Sequence, residues 1–141
     1  MIITFTKRDF DIVESAIKDQ KTGKFGILYC YLPQHVNYPR ADNKEDIYLT
    51  AHGNDNEIGD TSEFGLSATK VADIIYDTFI GGNWSASIYI SACDSYPHFA
   101  GDVLGRLEQR DPNRMWQVYG AEGKIGYPIL LKNDVSWKQA G

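Results

Sequence analysis

Cysteine is scarce in this chain of 141 residues, which holds only Cys30 and Cys93. Two thiols make no disulfide framework of the kind that staples small secreted domains, and nothing in the sequence marks an oxidising compartment, so both are expected to stay reduced. With His35, His52 and His98 they show no finger-like spacing, which argues against a structural zinc site. Long apolar runs are missing too: no stretch of roughly 18 such residues is there to cross a bilayer. The segment Met1-Ile2-Ile3-Thr4-Phe5-Thr6 is not a basic leader followed by an apolar core, so the expected location is the cytoplasm, or delivery by a leaderless route. Positive charge is thin, with no basic run longer than Lys7-Arg8 and a formal net charge of -5. General affinity for nucleic acid or for an anionic membrane surface is excluded on that ground. No repeat, low-complexity tract or Pro/Gly/Ser-rich linker divides the chain, and its length suits one domain.

What is present is an alternation of strand and helix signals. Residues 1–5 are β-rich. Thr6 has the form of a helix cap with Asp9 at the third helical position, and Phe10, Val13, Ala16 and Ile17 recur at helical spacing as a buried stripe. Strands are expected over residues 25–32, 46–51, 87–92, 115–119 and 125–131. Ser67 is placed to cap a second helix, with Leu66 and Val71 as its hydrophobic staple and Val71, Ile74, Ile75 and Phe79 as its inner face, stopped by Gly81-Gly82. Phe99, Val103, Leu104 and Leu107 mark a third helix, ended by Asp111-Pro112. Residues 53–65 read as a long polar loop, a lid or substrate loop beside a candidate base. The alternation predicts an α/β fold: one domain, a mostly parallel sheet, and helices on both faces. The near-continuous apolar strands agree, because parallel strands are covered on both sides.

Two stretches carry the chemistry. Ile47-Tyr48-Leu49-Thr50-Ala51-His52-Gly53 and Ile88-Tyr89-Ile90-Ser91-Ala92-Cys93 are apolar runs of strand character, and each stops at a reactive residue. In open α/β sheets, ligands gather at the carboxyl ends of strands. A thiol attacks as its thiolate, and a neighbouring imidazole can take its proton and return it to the leaving amine. His52 and Cys93 are therefore the candidate acid/base and nucleophile. Gly53 lets substrate approach the backbone, and its N–H, with that of Cys93, is the candidate oxyanion donor. Each residue taken singly also has a plain reading, as core cysteine or as surface histidine.

The order strand-His-Gly, polar loop, helix, strand-Cys, helix, strand resembles the caspase-like cysteine peptidases (clan CD): caspases, gingipains, clostripain, separase and the self-cleaving cysteine protease domains of large bacterial toxins, the toxin domains most of all. The resemblance rests on the two stretches above, on Gly65-Leu66-Ser67 opening the intervening helix, and on the two elements after Cys93, covering residues 45–125. Cys93 follows His52 by 41 residues, against roughly 50 in caspases. It implies a caspase-like fold and a peptidase acting on a peptide or protein substrate. It assigns attack to Cys93, acid catalysis to His52 and oxyanion binding to Gly53, with no cofactor or metal. Ser91-Ala92-Cys93-Asp94-Ser95 departs from the caspase pattern Gln-Ala-Cys-x-Gly, and Asp94 would oppose a thiolate if it faced inward, so it is expected to face solvent. The toxin domains are activated by inositol hexakisphosphate on a basic cluster; here the C-terminal basic group is limited to Lys124 and Lys132, with Arg106, Arg110 and Arg114, and the arginines read as a solvated helix stripe.

Other residues have plainer expectations. His98 is expected at a helix start in a capping or surface role. Asn54, Asp55, Asn56, Glu57 and Asp60 do not match an EF-hand loop. Trp84, Trp116 and Trp137 are core candidates, with Trp137 able to flank a pocket. Two rivals stand beside the peptidase: a caspase-like fold kept as a binding or regulatory module without turnover, and a thiol hydrolase or acyltransferase acting on something other than peptides. The acidic balance points to a basic residue before the cut.

Overall fold

The computed structural model describes residues 1–5, 9–35, 37–54, 57–59 and 65–141. Six strands build the main sheet: β1 (Ile2–Thr4), β2 (Leu28–Cys30), β3 (Ile47–Thr50), β7 (Ile88–Ser91), β8 (Val118–Ala121) and β9 (Trp137–Gln139), in the order β2-β1-β3-β7-β8-β9. All neighbours are parallel except β8 and β9. A second, antiparallel sheet holds β4 (His52–Gly53), β5 (Glu57–Gly59) and β6 (Gly65–Ser67). The helices are α1 (Phe10–Lys21), α2 (Ala68–Ile74) and α3 (Ala100–Arg110), with π turns over Ile75–Phe79 after α2 and Ser95–Phe99 before α3. The α/β fold with a mostly parallel sheet thus stands. Among the described residues, no helix is long and apolar enough to cross a membrane.

Strand side chains alternate between two cores. Ile3, Phe5, Ile47, Leu49, Ile88 and Ile90 join Val71, Ile75 and Phe79 of the α2 segment and Val103 and Leu107 of α3 on one face. Ile2, Tyr48 and Tyr89 join Ala16 of α1, Ile129 and Trp137 on the other. That second face carries a ladder of rings across adjacent strands: Tyr48 stacks on Tyr89 at 5.0 Å and Tyr89 on Tyr119 at 4.8 Å. Fully burying a side chain such as Phe5, Phe79 or Phe99 stabilises by about 1.5–3 kcal/mol, so the helices on both faces are held mainly by such burial. The α2 cap is as expected, Ser67 Oγ accepting from Lys70 N–H at 3.2 Å.

Five expectations change. Phe10 is 74 % exposed and Ile17 40 %; the inward line of α1 is instead Ile12, Ala16 and Asp19. Asp9 is the N-cap rather than the third helical residue, and Thr6 lies outside the described residues. Residues 125–131 form no strand, because the N–H groups of Ile125 and Ile129 go to Cys93 Sγ and Asp19 Oδ2, not to a neighbouring strand. The last strand is β9, which buries Trp137 against Tyr89 rather than at a pocket rim. Finally, residues 53–65 are not simply a loop: their described part forms β4, β5 and the start of β6.

Asp19 anchors the C-terminal segment to α1. Its buried carboxylate accepts from Ile129 N–H at 3.1 Å, and burial pushes its carboxyl above the usual range, the hydrogen bond offsetting part of the rise. A folded carboxyl that holds its proton more tightly contributes stability that is full below the unfolded pKa and is lost as pH rises through the folded one. Asp19→Asn keeps an acceptor and removes the titration. Urea unfolding at several pH values should show the variant gaining stability relative to wild type as pH rises above about 4; a pH-independent difference would show that Asp19 is not the titrating group.

Candidate functional site

Register brings the two chemical stretches together. β3 and β7 run parallel with Thr50 opposite Ser91, and Ala51 N–H continues the ladder to Ser91 O at 3.3 Å. His52 and Cys93 each lie two residues beyond that pair, at the carboxyl edge of the sheet. Here β4 leaves the main sheet, and Gly53 passes so close to the other strand end that a Cβ on it would lie 2.8 Å from Ala92 Cβ and 2.8 Å from Cys93 O. Asp94, at φ 56°, then turns the chain through the left-handed region, and its N–H bonds Gly123 O at 2.8 Å. Ser95 secures the turn: its buried hydroxyl donates to Ile90 O at 3.0 Å and accepts from Ala121 N–H at 2.9 Å.

His52 and Cys93 line one cavity of about 10 Å³, with Ile12, Ser91, Ile125 and Tyr127 among its walls. The imidazole is held from the far side: Nε2 lies 2.7 Å from Asp9 Oδ2, with the side chains 28 % and 10 % exposed. Nε2–H donating to the carboxylate leaves Nδ1 as the acceptor, the tautomer a base needs. Tyr127 packs edge-on to the ring at 5.5 Å between centroids. The Cys93 sulfur accepts from Ile125 N–H at 3.4 Å and lies 3.7 Å from Ile125 O, to which its S–H donates. Among the described residues no hydrogen bond joins the imidazole and the sulfur directly. Neither Cys30 nor Cys93 is in a disulfide.

Asp9 is the residue that sequence reasoning missed. It was legible as an acid between a strand and a helix, a pattern that equally describes a cap. As N-cap it makes no side-chain capping bond, and its carboxylate turns to His52 instead. Ser91, Ile125 and Tyr127 were also missed, since only the fold brings residues 125–127 back over the sheet edge. Asp94 does not line the cavity and is partly exposed. His98 is exposed at the end of the π turn before α3, away from the cavity. Asp55, Asn56 and Asp60 lie outside the described residues, and among the described residues no group of three His, Cys, Asp or Glu is placed to hold a metal ion.

The arginine stripe is not simply solvated; it ties α3 to α2. Arg106 Nε and Arg110 Nη1 each lie 2.9 Å from Asp73 Oδ1, and Arg110 Nη2 lies 2.6 Å from Asp77 Oδ1. Hydrogen bonds from Arg106 first, and from Arg110, hold the Asp73 carboxyl below its usual range, outweighing its burial. Arg114 pairs with Asp111 at 3.3 Å and lies over the Trp116 ring at 4.9 Å. Lys132 lies 3.5 Å from Asp46.

Comparison with family models, with curated proteins and with solved structures returns no match. The close approach at Gly53 generates a test. Gly53→Ala would push its methyl into Ala92 and the Cys93 carbonyl, neither of which is a flexible end, and should cost about 1–3 kcal/mol of stability by thermal or urea unfolding. A neutral effect would mean that the two strand ends are not in such close contact.

Proposed function

We propose that the chain is a cysteine hydrolase, most naturally a peptidase of caspase-like type, with Cys93 as nucleophile, His52 as acid/base and Asp9 as the group that orients His52. One observation carries the reading: a thiol and an Asp-bound imidazole from different strands open on one small cavity. The thiolate attacks the scissile carbonyl and forms a tetrahedral oxyanion, for which the N–H groups of Gly53 and Cys93 are the proposed donors. Protonated His52 gives its proton to the leaving amine, and water then hydrolyses the thioester. The carboxylate of Asp9 favours the imidazolium formed on the way. The substrate side of the proposal is a peptide or protein with a basic residue before the cut, in keeping with the net charge of -5. Activation by an inositol phosphate is not part of it, because Arg106, Arg110, Arg114 and Lys132 are engaged with acids.

A second reading draws on the cover over the thiol. Ile125 sits on Cys93, and the cavity is far smaller than a peptide. A caspase-like fold kept as a binding module would look the same. An electrophilic peptide probe separates the two: the hydrolase should label at Cys93 much faster than a free thiol, and a module no faster.

Cys93→Ala should keep the fold and abolish turnover of a peptide library; undiminished turnover would end the assignment. Asp9→Asn should lower kcat/KM by about 10²-fold, the scale on which a misplaced group costs rate; an unchanged value would remove Asp9 from the machinery. Tyr127→Ala, at a 42 % exposed side chain, should leave stability nearly unchanged and speed alkylation of Cys93 several-fold by thinning its cover, as mass spectrometry of the labelled peptides would show. An unaltered rate would mean that Tyr127 does not limit access.

A further inference from the structure

The cavity between His52 and Cys93 has a polar wall that the proposed reaction does not use. Ser91 is 3 % exposed, lines that cavity, and its Oγ is a buried side-chain oxygen with no hydrogen-bond partner among the described residues. An unmatched buried hydroxyl costs about 1–3 kcal/mol, so this one calls for a polar partner. The position is also an ill-suited one for chance polarity. Ser91 ends a strand whose other members, Ile88, Tyr89 and Ile90, are all buried, and it faces Thr50 across the ladder.

The cavity volume of about 10 Å³ matches what a single water molecule needs, and a buried water makes two to four hydrogen bonds. The walls supply them: the Ser91 hydroxyl, the Cys93 sulfur and the His52 ring, whose Nε2 is already committed to Asp9. We propose that Ser91 is a positioning residue that holds one water between Cys93 and His52, and that this water relays the thiol proton to the imidazole. The Cys93 S–H turns from Ile125 O to the water oxygen and passes its proton to it, while the water gives one of its own to Nδ1 of His52. Thiolate and imidazolium form, the water is regenerated, and no other reactant is needed. The relay accounts for two groups that share a cavity without bonding each other directly, since one intervening water keeps acid/base partners within reach.

The charged and titratable neighbours are set by the fold. Asp9 from α1 holds the far ring nitrogen, Tyr127 packs on the ring edge, and Glu57 of β5 lines the open cleft on the other side of His52 and Gly53. Asp94 follows the thiol but lies outside the cavity wall.

The inference rests on the Cys–His reading but is tested without any substrate. Iodoacetamide alkylation of Cys93 is followed against pH by peptide mapping of the whole chain, with Cys30 as an internal control for folding. Ser91→Ala should slow Cys93 alkylation near neutrality by about three- to tenfold, the worth of one hydrogen bond, and move its pH–rate profile upward while Cys30 is unaffected. His52→Ala should slow it as well, and the double variant should be no slower than His52→Ala alone. If His52→Ala slows alkylation while Ser91→Ala changes nothing, or if the two losses multiply, the relay is wrong and the Cys–His pair survives. A wild-type rate in His52→Ala would overturn both.

Discussion

Everything at the candidate site depends on the register of one parallel pair. With Thr50 opposite Ser91, the two strands release the chain at the same height, and two further residues bring His52 and Cys93 to the same edge. A slip of one residue would turn every side chain of one strand to the other face. The slip is opposed by two different cores. Ile47, Leu49, Ile88 and Ile90 must meet α2 and α3, while Tyr48 and Tyr89 must stack with each other on the side of α1. The packing that stabilises the sheet is thus the same packing that aligns the chemistry.

Helix α1 has a second part in the arrangement. Its inward line runs from Asp9 through Ile12 and Ala16 to Asp19, apolar in the middle and acidic at both ends. One carboxylate reaches His52 and the other reaches Ile129 N–H, so the helix links the imidazole to the segment lying over the thiol. Phe10 and Ile17 lie off that line and remain exposed.

The thiol is held and covered by one residue. Ile125 donates its N–H to the Cys93 sulfur at 3.4 Å, places its carbonyl 3.7 Å away, and lines the same cavity. The cover is fastened on both sides, by Asp94 N–H to Gly123 O and by Ile129 N–H to Asp19. Residues 124 and 126–128, between these fastenings, are exposed. A short span tied at its ends and exposed in its middle is where local opening costs least.

By itself the sequence determined the α/β alternation, the inner faces of α2 and α3, the Ser67 cap and the two strand ends that stop at His52 and Cys93. These are local facts, carried by periodicity and by residue type within a few positions. The rotation of α1, the replacement of an expected strand at 125–131 by a segment over the thiol, the final strand around Trp137, and the presence of Asp9, Ser91, Ile125 and Tyr127 around the cavity were decided only by the tertiary structure. Each depends on partners far away in the chain, such as Asp19 with Ile129 or Asp9 with His52, and a polar partner at long range leaves no periodic trace. An acid before a helix has the same appearance in sequence whether it caps that helix or holds an imidazole.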